Sequence, residues 1–226
     1  MPLGSEVKND PRMINDCLNE ISDAVGLVSG IVLAGGKSRR MGGVNKALLD
    51  VGGQPLVERV RDTLARVIPD IVIVTNTPED FRFLGLPLFG DLIPGCGSIG
   101  GLFTGLSECA GRYGFLVGCD MPFLNEGVIG HMVSLIDDYD VVVPRISGWL
   151  EPLHAIYSCR CLPHIRELIL KEDLKIINLF HKVRLLEVPQ KDLAVFDPEF
   201  RFVMNINTPE DLETARRMEE SSASEK

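Results

Sequence analysis

The stretch that decides the fold is GIVLAGGKSRRMGGVNK, residues 30–46. Its apolar start predicts a buried strand over 29–34. The loop that follows contains four glycines, four cationic side chains and no acidic residue. Glycine lets backbone N–H groups approach an anion closely, and the cations neutralise its charge. Four cations without an acid are unexpected in a surface turn of a chain with a formal net charge of −9, so we expect this loop to bind phosphate. The glycines are Gly35, Gly36, Gly42 and Gly43, and the cations are Lys37, Arg39, Arg40 and Lys46.

Two segments partly match common nucleotide-binding motifs, but neither meets the full requirements of its motif. Residues 36–38, GKS, resemble the end of a P-loop, but that motif requires another glycine where this chain has Ile31. Residues 95–100, GCGSIG, match the dinucleotide fingerprint letter by letter. That fingerprint must directly follow a strand, and Pro94 is unsuited to a central strand. We therefore expect this second glycine loop to pack near a base or ribose, or to form a tight turn before a helix.

Apolar strands and helical patterns alternate along the rest of the chain. Strands are predicted over 70–75, 114–119 and 140–143, with later ones near 154–158, 183–188 and 202–206. Helices are predicted over 55–67 and near 101–110. Because continuous apolar strands between helices are buried on both faces, the expected fold is α/β, a Rossmann-like, mostly parallel mixed sheet with helices on both faces.

The chain length suits one domain with appendages. We expect that domain over 28–218, after an arm over 1–27 that is partly disordered and in which 13–25 suit a short helix. A disordered tail is expected over 219–226. The pentapeptide NTPED occurs twice, at 76–80 and 207–211, and each copy is expected to start a helix with threonine as its cap.

The composition argues against several classes of function. The net charge of −9, from 32 acidic and 23 basic side chains, disfavours broad binding to nucleic acid or anionic membranes. No run is long and apolar enough to cross a membrane, and the N-terminus lacks a secretory pattern, so a cytoplasmic protein is expected. The six cysteines lack zinc-site spacing and are expected to be reduced thiols, with a Cys159/Cys161 sensor pair left open.

Two aspartates are candidate ligands at strand ends. Asp120 ends an apolar strand, so its carboxylate is expected at the carboxyl edge of the sheet, where open α/β sheets bind ligands. Magnesium is usually held by one or two carboxylates together with phosphate oxygens, which makes Asp120 the candidate metal ligand and a helix cap its alternative. Asp91 is a weaker candidate, because it also suits an Asx turn.

Three asparagines lie after predicted strands and can either read a base or ribose or cap a turn: Asn76, Asn205 and Asn207. His154 lies in an apolar stretch and is expected to be a core histidine with satisfied hydrogen bonds. No Ser/His/Asp order or activated cysteine stands out. This absence fits metal-assisted phosphoryl chemistry, which requires no protein nucleophile.

A set of motifs occurs together and in order: LAGGKSRRMGGVNKALL, GGQPLVERV, PGCGSIGGL, CDMPFL, EPLHAIYS, FDP and NINTPEDL. The set covers the chain from Gly30 to Arg217 and resembles the molybdenum cofactor guanylyltransferase family. That family transfers GMP from GTP to molybdopterin and forms the guanine dinucleotide cofactor. The first loop alone is shared with the wider nucleotidyltransferase superfamily, whereas FDP and NINTPEDL make the resemblance more specific.

The resemblance implies a set of roles for residues of this chain. Lys46, Arg39 and Asp120 are the implied catalytic residues, with Asp120 as the Mg²⁺ ligand. Molybdopterin contacts are implied for Asn205 and Asn207. The implied GTP contacts are Leu33, Ala34, Gly35, Gly36, Lys46, Asn76, Asp91 and Asp120.

The implied partners are GTP, molybdopterin or its molybdenum-loaded form, and transient contacts with cofactor-biosynthesis proteins and recipient molybdoenzymes. The chain departs from the family pattern at Asn45, where an acid often precedes the lysine, and at Ser98-Ile99, which replace a common Pro-Leu. Both departures lie near the expected nucleotide and put base preference in doubt. Two alternatives remain open: a related transferase that uses CTP or another acceptor, and a non-catalytic nucleotide-binding regulator.

Overall fold

A computed structural model of the chain describes residues 26–35 and 45–224. Most of the predicted N-terminal arm, at 1–25, and most of the first glycine loop, at 36–44, lie outside the described residues. None of the helices in the described ranges is long and apolar enough to span a membrane.

Eight of the described strands form one sheet, and a separate hairpin pairs β2 (Asp50–Val51) with β3 (Gln54–Pro55). The strands of the sheet are β1 (Val28–Leu33), β4 (Ile71–Val74), β5 (Leu88–Phe89), β6 (Tyr113–Gly118), β7 (Val141–Ile146), β8 (Trp149–Leu150), β9 (His154–Ser158) and β10 (Leu185–Pro189). Their order is β10-β7-β9-β6-β1-β4-β5, with β8 paired to β7. β9 runs antiparallel to β6 and β7, and β8 runs antiparallel to β7, while the other pairings are parallel. The predicted mostly parallel mixed sheet is therefore confirmed.

Helices cover both faces of this sheet, as the sequence predicts. One hydrophobic cluster joins the sheet to α1 (Leu56–Ala65) and α3 (Glu126–Ser134). A second cluster joins the opposite face to α2 (Gly97–Glu108) and α4 (Leu162–Leu170). The remaining helices are α5 (Gln190–Leu193) and α6 (Pro209–Ser224).

The C-terminal helix brings the end of the chain back to its beginning. Leu212 and Ala215 of α6 pack with Val51, Leu56 and Ile206 in a third small cluster. The segment before α6 is thereby placed beside residues 45–48, which follow the first glycine loop. This docking creates the site described below.

The expected strand over 202–206 is wrong. A short 3₁₀ turn covers Arg201–Val203, and Phe200 before it has φ 53°, in the left-handed region. The Asp197 carboxylate accepts the backbone N–H of Phe202 at 2.9 Å. This side-chain bond holds the segment in a turn that buries Phe202, which satisfies the apolar pattern without a strand.

The two NTPED copies differ in structure although their sequences agree. At 207–211 the expectation is confirmed, because the Thr208 hydroxyl accepts the Asp211 N–H at 3.2 Å and α6 begins at Pro209. At 76–80 it is wrong: only a 3₁₀ turn forms over Pro78–Asp80, with no cap from the Thr77 side chain. Phe81 is buried immediately afterwards, and its φ of −121° ends the turn.

The disordered tail expected from 219 onward is wrong for 219–224, where α6 continues. The Glu219 carboxylate accepts a hydrogen bond from Arg59 at 2.6 Å, so this turn of the helix is anchored to α1.

The thiol beside Cys159 is Cys109 rather than Cys161. Both sulfurs of this pair lie 3.5–3.7 Å from the same two carbonyl oxygens, those of Leu106 and Gly111. The hydrogen bond from Cys109 lowers the pKa of Cys159 to about 7. Cys161 is buried, and its thiol donates instead to the Asp140 carbonyl at 3.4 Å.

Candidate active site

The predicted site residues gather at the carboxyl edge of the sheet because the central strands end level with one another. Leu33 of β1 is in register with Val74 of β4 and with Gly118 of β6. The residues that follow these strands therefore leave the sheet side by side. This is the edge where open α/β sheets bind their ligands.

Asn76 and Asp91 lie together on one side of this edge. The Asn76 amide donates to the Asp91 carboxylate at 2.8 Å, and the Asp91 backbone N–H donates to the Asn76 amide oxygen at 2.9 Å. The reciprocal bonds fix both side chains after β4 and β5. The open Asx-turn alternative for Asp91 is not what the structure contains, since its carboxylate faces Asn76.

Asp120 lies on the other side of β1 from Asn76 and Asp91, two residues after the neighbouring strand β6 ends. Burial raises the pKa of its carboxyl above the ordinary value, while its own backbone N–H and Lys46 act to lower it. Such a carboxylate is poorly compensated, and a cation beside it would relieve that cost. The capping alternative is wrong, because Asn125 caps α3 by accepting the Val128 N–H at 3.0 Å.

Gly118 makes room for that carboxylate. A Cβ atom at position 118 would lie 2.5 Å from the Asp120 Oδ1 atom, which is closer than real contacts allow. No group of three or more metal-ligating side chains exists within the described residues. A single hard carboxylate suits Mg²⁺, which relies on phosphate oxygens and water for its other ligands.

Lys46 connects the end of the first glycine loop to the segment before α6. Its Nζ atom donates to the Asn207 amide oxygen at 3.1 Å and to the Ile206 carbonyl at 3.3 Å. The Ile206 backbone N–H in turn donates to the Asp120 carbonyl at 2.9 Å. The lysine after the first glycine loop, the aspartate after β6 and the asparagine before α6 thus meet at one place.

Asp211 positions this asparagine, a role that the sequence interpretation missed. Its carboxylate accepts the backbone N–H groups of Asn207 and Thr208, each at 2.8 Å. These two bonds lower the pKa of Asp211, and Lys46 contributes to the same shift. The signal was present in the second NTPED copy, where an aspartate three residues after the capping threonine is a reciprocal cap.

The remaining predicted residues occupy several environments. Ala34 is buried and donates its N–H to the Val74 carbonyl at 2.9 Å, while Gly35 is exposed with open space around it. The Leu33 side chain packs on α2, where a Cβ at Gly101 would lie 2.8 Å from it. The Asn205 amide donates to the Val203 carbonyl of its own turn at 3.0 Å. Gly36 and Arg39 lie outside the described residues.

The second glycine loop is a tight turn before a helix, one of the two predicted outcomes. Gly95 and Gly97 have φ values of 84° and 60°, which side chains rarely adopt, and α2 begins at Gly97. The first turn of this helix opens at the same edge of the sheet as Asn76 and Asp91. Its free backbone N–H groups therefore add to the positive potential there.

Comparison with known proteins agrees with this geometry. The profile of the MobA-like NTP transferase domain family matches residues 30–185. A nucleotidyl transferase from Methanothermobacter thermautotroptrophicus has the same fold, with a TM-score of 0.65 at 18% identity over 87% of this chain and 99% of the other. The chain is a nucleotidyltransferase.

More similar relatives define its family. A molybdenum cofactor guanylyltransferase from Desulfosudis oleivorans is 41% identical over 83% of this chain and 94% of its own length. A probable one from Natranaerobius thermophilus is 36% identical over 84% and 95%. The crystal structure of molybdopterin-guanine dinucleotide biosynthesis protein A from Archaeoglobus fulgidus superposes with a TM-score of 0.74, at 28% identity over 85% of this chain and 99% of that one. The chain therefore belongs to the molybdenum cofactor guanylyltransferase family.

Proposed function

We propose that this protein transfers GMP from GTP to the terminal phosphate of molybdopterin, releasing pyrophosphate and forming the guanine dinucleotide cofactor. The observation that carries the proposal is the junction of Lys46, Asn207 and Asp120. It joins the segment expected to bind the triphosphate to the segment expected to meet molybdopterin. The family relatives support both substrates by their printed names.

The reaction suits a site without a protein nucleophile. An oxygen of the molybdopterin phosphate attacks the α-phosphorus of GTP, and the bond from that phosphorus to the bridging oxygen breaks. Pyrophosphate leaves with the bond's electron pair. The attacking oxygen is already anionic, so no general base is required, and holding the two substrates in line supplies much of the rate.

Lys46 and Arg39 are proposed to stabilise the charge that develops on pyrophosphate. Lys46 is well placed for this role, because its hydrogen bonds to the 206–207 segment hold the ammonium near Asp120. Asp211 supports it indirectly by fixing Asn207. The described part of the site thus orients its cation before substrate arrives.

Asp120 is the residue proposed to hold Mg²⁺, which would neutralise triphosphate charge when bound. The burial of its carboxylate, which Lys46 and a backbone N–H offset only in part, supports this assignment. The proposed nucleotide contacts are Asn76 and Asp91 with the backbone of 33–36. Asn45 belongs to the structural frame, because it caps the 3₁₀ turn Lys46–Leu48 and donates to Asp80 at 3.0 Å.

The acceptor side is proposed to include Asn205 and Asn207, and molybdopterin is taken up with or without its molybdenum. A reactive pterin of this kind has to be received and passed on, so transient contacts with cofactor-biosynthesis proteins and recipient molybdoenzymes are part of the proposal. A cytoplasmic location, which the sequence analysis expects, is also part of the proposal.

The proposal is tested by measuring pyrophosphate from GTP in the presence of Mg²⁺, with and without molybdopterin. Release is expected only when both substrates and the metal are supplied. GTP binding without release under any of these conditions would indicate a nucleotide-binding regulator instead. Release from GTP alone, independent of molybdopterin, would indicate a different acceptor.

A further inference from the structure

A short hairpin stands at the carboxyl edge beyond Asp120, and no role has yet been assigned to it. It connects β7 to β8 through Ser147 and Gly148, both in the left-handed region, with φ 50° and 86°. Arg145 stiffens the hairpin by donating to the Gly148 carbonyl at 2.8 Å and to both Glu187 carboxylate oxygens at 2.6 and 2.7 Å. This hairpin, residues 145–151, is therefore a fixed platform rather than a loose loop.

Trp149 and Glu151 lie on the same face of this platform. Directly opposed residues of an antiparallel pair share a face, and Trp149 is opposite Ile146. Ile146 belongs to the core that packs under α1 and α3. Glu151 follows two residues later and continues the ladder by donating its N–H to the Pro144 carbonyl at 3.1 Å, so it returns to the same face.

The same face carries the segment that leads to Asn205 and Asn207. Phe202 of that segment is in the core cluster of Ile146, and its ring packs on His154 with centroids 4.7 Å apart. The hairpin and the asparagine segment therefore border the same side of the sheet edge. Asn205 and Asn207 follow Phe202 in the chain, so they and the hairpin are reached from the same face of the sheet.

Both side chains are in environments that a ligand would improve. Trp149 is 75% exposed, although it is a large aromatic residue on an ordered strand. Glu151 is half-buried, yet its carboxylate has no hydrogen bond or ion pair among the described residues. Burial, with no compensating partner, raises the pKa of Glu151. A flat ring bearing N–H donors would cover the indole and satisfy the carboxylate.

Strand order separates this platform from the nucleotide contacts. β7 lies two strands from β6 on one side, while Asn76 and Asp91 follow β4 and β5, two and three strands away on the other. At about 4.8 Å per strand, the platform lies about 10 Å from the strand of Asp120 on one side, and the strands before Asn76 and Asp91 lie about 10 Å and about 14 Å away on the other. This spacing suits one heterocycle on each side of a central phosphate group.

We propose that Trp149 and Glu151 form the subsite for the pterin ring of the acceptor, with the indole stacking on the ring and the carboxylate accepting its ring N–H and 2-amino donors. The inference rests on the proposed function for the identity of the acceptor. A paired N–H edge is matched by two carboxylate oxygens, and such charge-assisted pairs are the strong ones. Guanine has the same donor edge, so the experiment must separate the two rings.

The first test uses fluorescence, because Trp149 is the single tryptophan of the 226 residues. Molybdopterin is titrated into the protein, and indole emission is recorded, with N-acetyltryptophanamide as the control for light absorbed by the pterin. Saturable quenching beyond that control is expected with molybdopterin and not with GTP. Glu151→Gln should raise the dissociation constant obtained from this quenching about 10-fold to 100-fold, the scale of a lost charged hydrogen-bond pair.

The second test uses steady-state kinetics with each substrate varied in turn. Glu151→Gln should raise the KM for molybdopterin by the same factor and leave kcat and the KM for GTP within twofold. Trp149→Ala should act in the same direction. Glu108→Gln is the matched control, because it removes the same charge from the exposed end of α2 at the opposite edge of the sheet.

Several results would overturn the subsite. Quenching by GTP, or a raised KM for GTP in Glu151→Gln, would assign the platform to guanine. An open cavity of about 480 Å³ beside residues 122–125 is the competing place for the acceptor, and Arg201 lines it. If Arg201→Gln raises the KM for molybdopterin while Glu151→Gln does not, the acceptor binds there. If wild-type protein quenches as expected but releases no pyrophosphate, the proposed function fails while the pterin subsite stands.

Discussion

His154 predicts how the fold responds to acid. Its imidazole is fully buried at the start of β9, with ring centroids 5.1 Å from Phe115 and 4.7 Å from Phe202. Neither ring nitrogen has a hydrogen-bond partner among the described residues. Burial therefore lowers the pKa of His154 from 6.5 to about 3. The sequence expectation of a core histidine is confirmed, whereas the expectation that its hydrogen bonds are satisfied is wrong.

Because the pKa of His154 is lowered in the folded protein, acid should decrease the free energy of unfolding. The folded pKa is below the unfolded one, so between about pH 6.5 and pH 3 the unfolded chain binds a proton that the folded protein does not. The contribution of His154 to the free energy of unfolding is fully present above pH 6.5 and is lost as the pH falls. Each pH unit below 6.5 costs about 1.4 kcal/mol, so about 2 kcal/mol is lost by pH 5.

The perturbation is His154→Leu, which is close in volume and cannot be protonated. At pH 7 the variant should be as stable as wild type or more stable, because relief of two unpaired nitrogens, about 1–3 kcal/mol each, opposes the loss of two ring contacts, about 0.5–1.5 kcal/mol each. Urea unfolding followed by circular dichroism at pH 7 and pH 5 gives the difference. Wild type should lose about 2 kcal/mol more than the variant over this interval.

The matched control is His181→Leu, at an exposed position, which should keep the wild-type dependence on acid. Because both proteins carry the same carboxylates, their titration cancels in the comparison. Parallel stability curves for wild type and His154→Leu would refute the account of a neutral, uncompensated core histidine.

Three further substitutions test the site and the thiol pair. Lys46→Ala should lower turnover by about 10²–10³ with an unchanged circular dichroism spectrum, and normal turnover would contradict its role. Asp120→Asn should lower turnover, raise the Mg²⁺ concentration needed for half-maximal rate, and leave the thermal midpoint unchanged or higher, since a poorly compensated carboxylate is removed. Near-normal turnover with an unshifted Mg²⁺ dependence would exclude Asp120 as the ligand. Alkylation of Cys159, followed by mass spectrometry, should rise with a midpoint near pH 7 and shift upward in Cys109→Ala, because the Cys109 hydrogen bond lowers the pKa of Cys159. An identical profile in both proteins would show that the two thiols do not interact.

Local sequence signals were sufficient for the central strands of the sheet and for the residues that follow them, but not for the short strands β5 and β8. Apolar runs mark β1, β4 and β6, and their ends determine where Asn76 and Asp120 emerge. Residues at the ends of parallel strands share one edge by geometry, so their convergence could be predicted without knowing any side-chain contact.

The contact between Lys46 and the segment before α6 could not be predicted in this way. Lys46 and Asn207 are separated by 161 positions, and their hydrogen bond depends on the docking of α6 against β2 and α1. No local pattern encodes that docking. The strand prediction for 202–206 was wrong for a similar reason, because a hydrogen bond from outside the segment holds it in a turn. The Asp197 carboxylate accepts the Phe202 N–H and overrides an apolar pattern that otherwise suits a strand.

The platform of Trp149 and Glu151 was also missed, although Glu151 begins the EPLHAIYS motif, because the sequence does not show that the two side chains share a face. Their relation to each other depends on strand register and burial, which only the fold shows. The register of β7 and β8 places them on one face, and the half-buried Glu151 carboxylate has no hydrogen bond or ion pair to any residue that the structure describes. An exposed tryptophan and an uncompensated acid become informative only in combination.

The most direct test of the central claim follows the α-phosphate of GTP. Purified protein is given molybdopterin, Mg²⁺ and GTP labelled at the α-phosphate, in parallel with CTP and ATP labelled in the same position. The account predicts that the label enters a molybdopterin dinucleotide fastest from GTP, with one pyrophosphate released for each product formed. Faster transfer from CTP would place the protein with the cytidylyl enzymes. Failure of the label from any triphosphate to reach molybdopterin, in protein that binds both substrates, would contradict the proposed reaction.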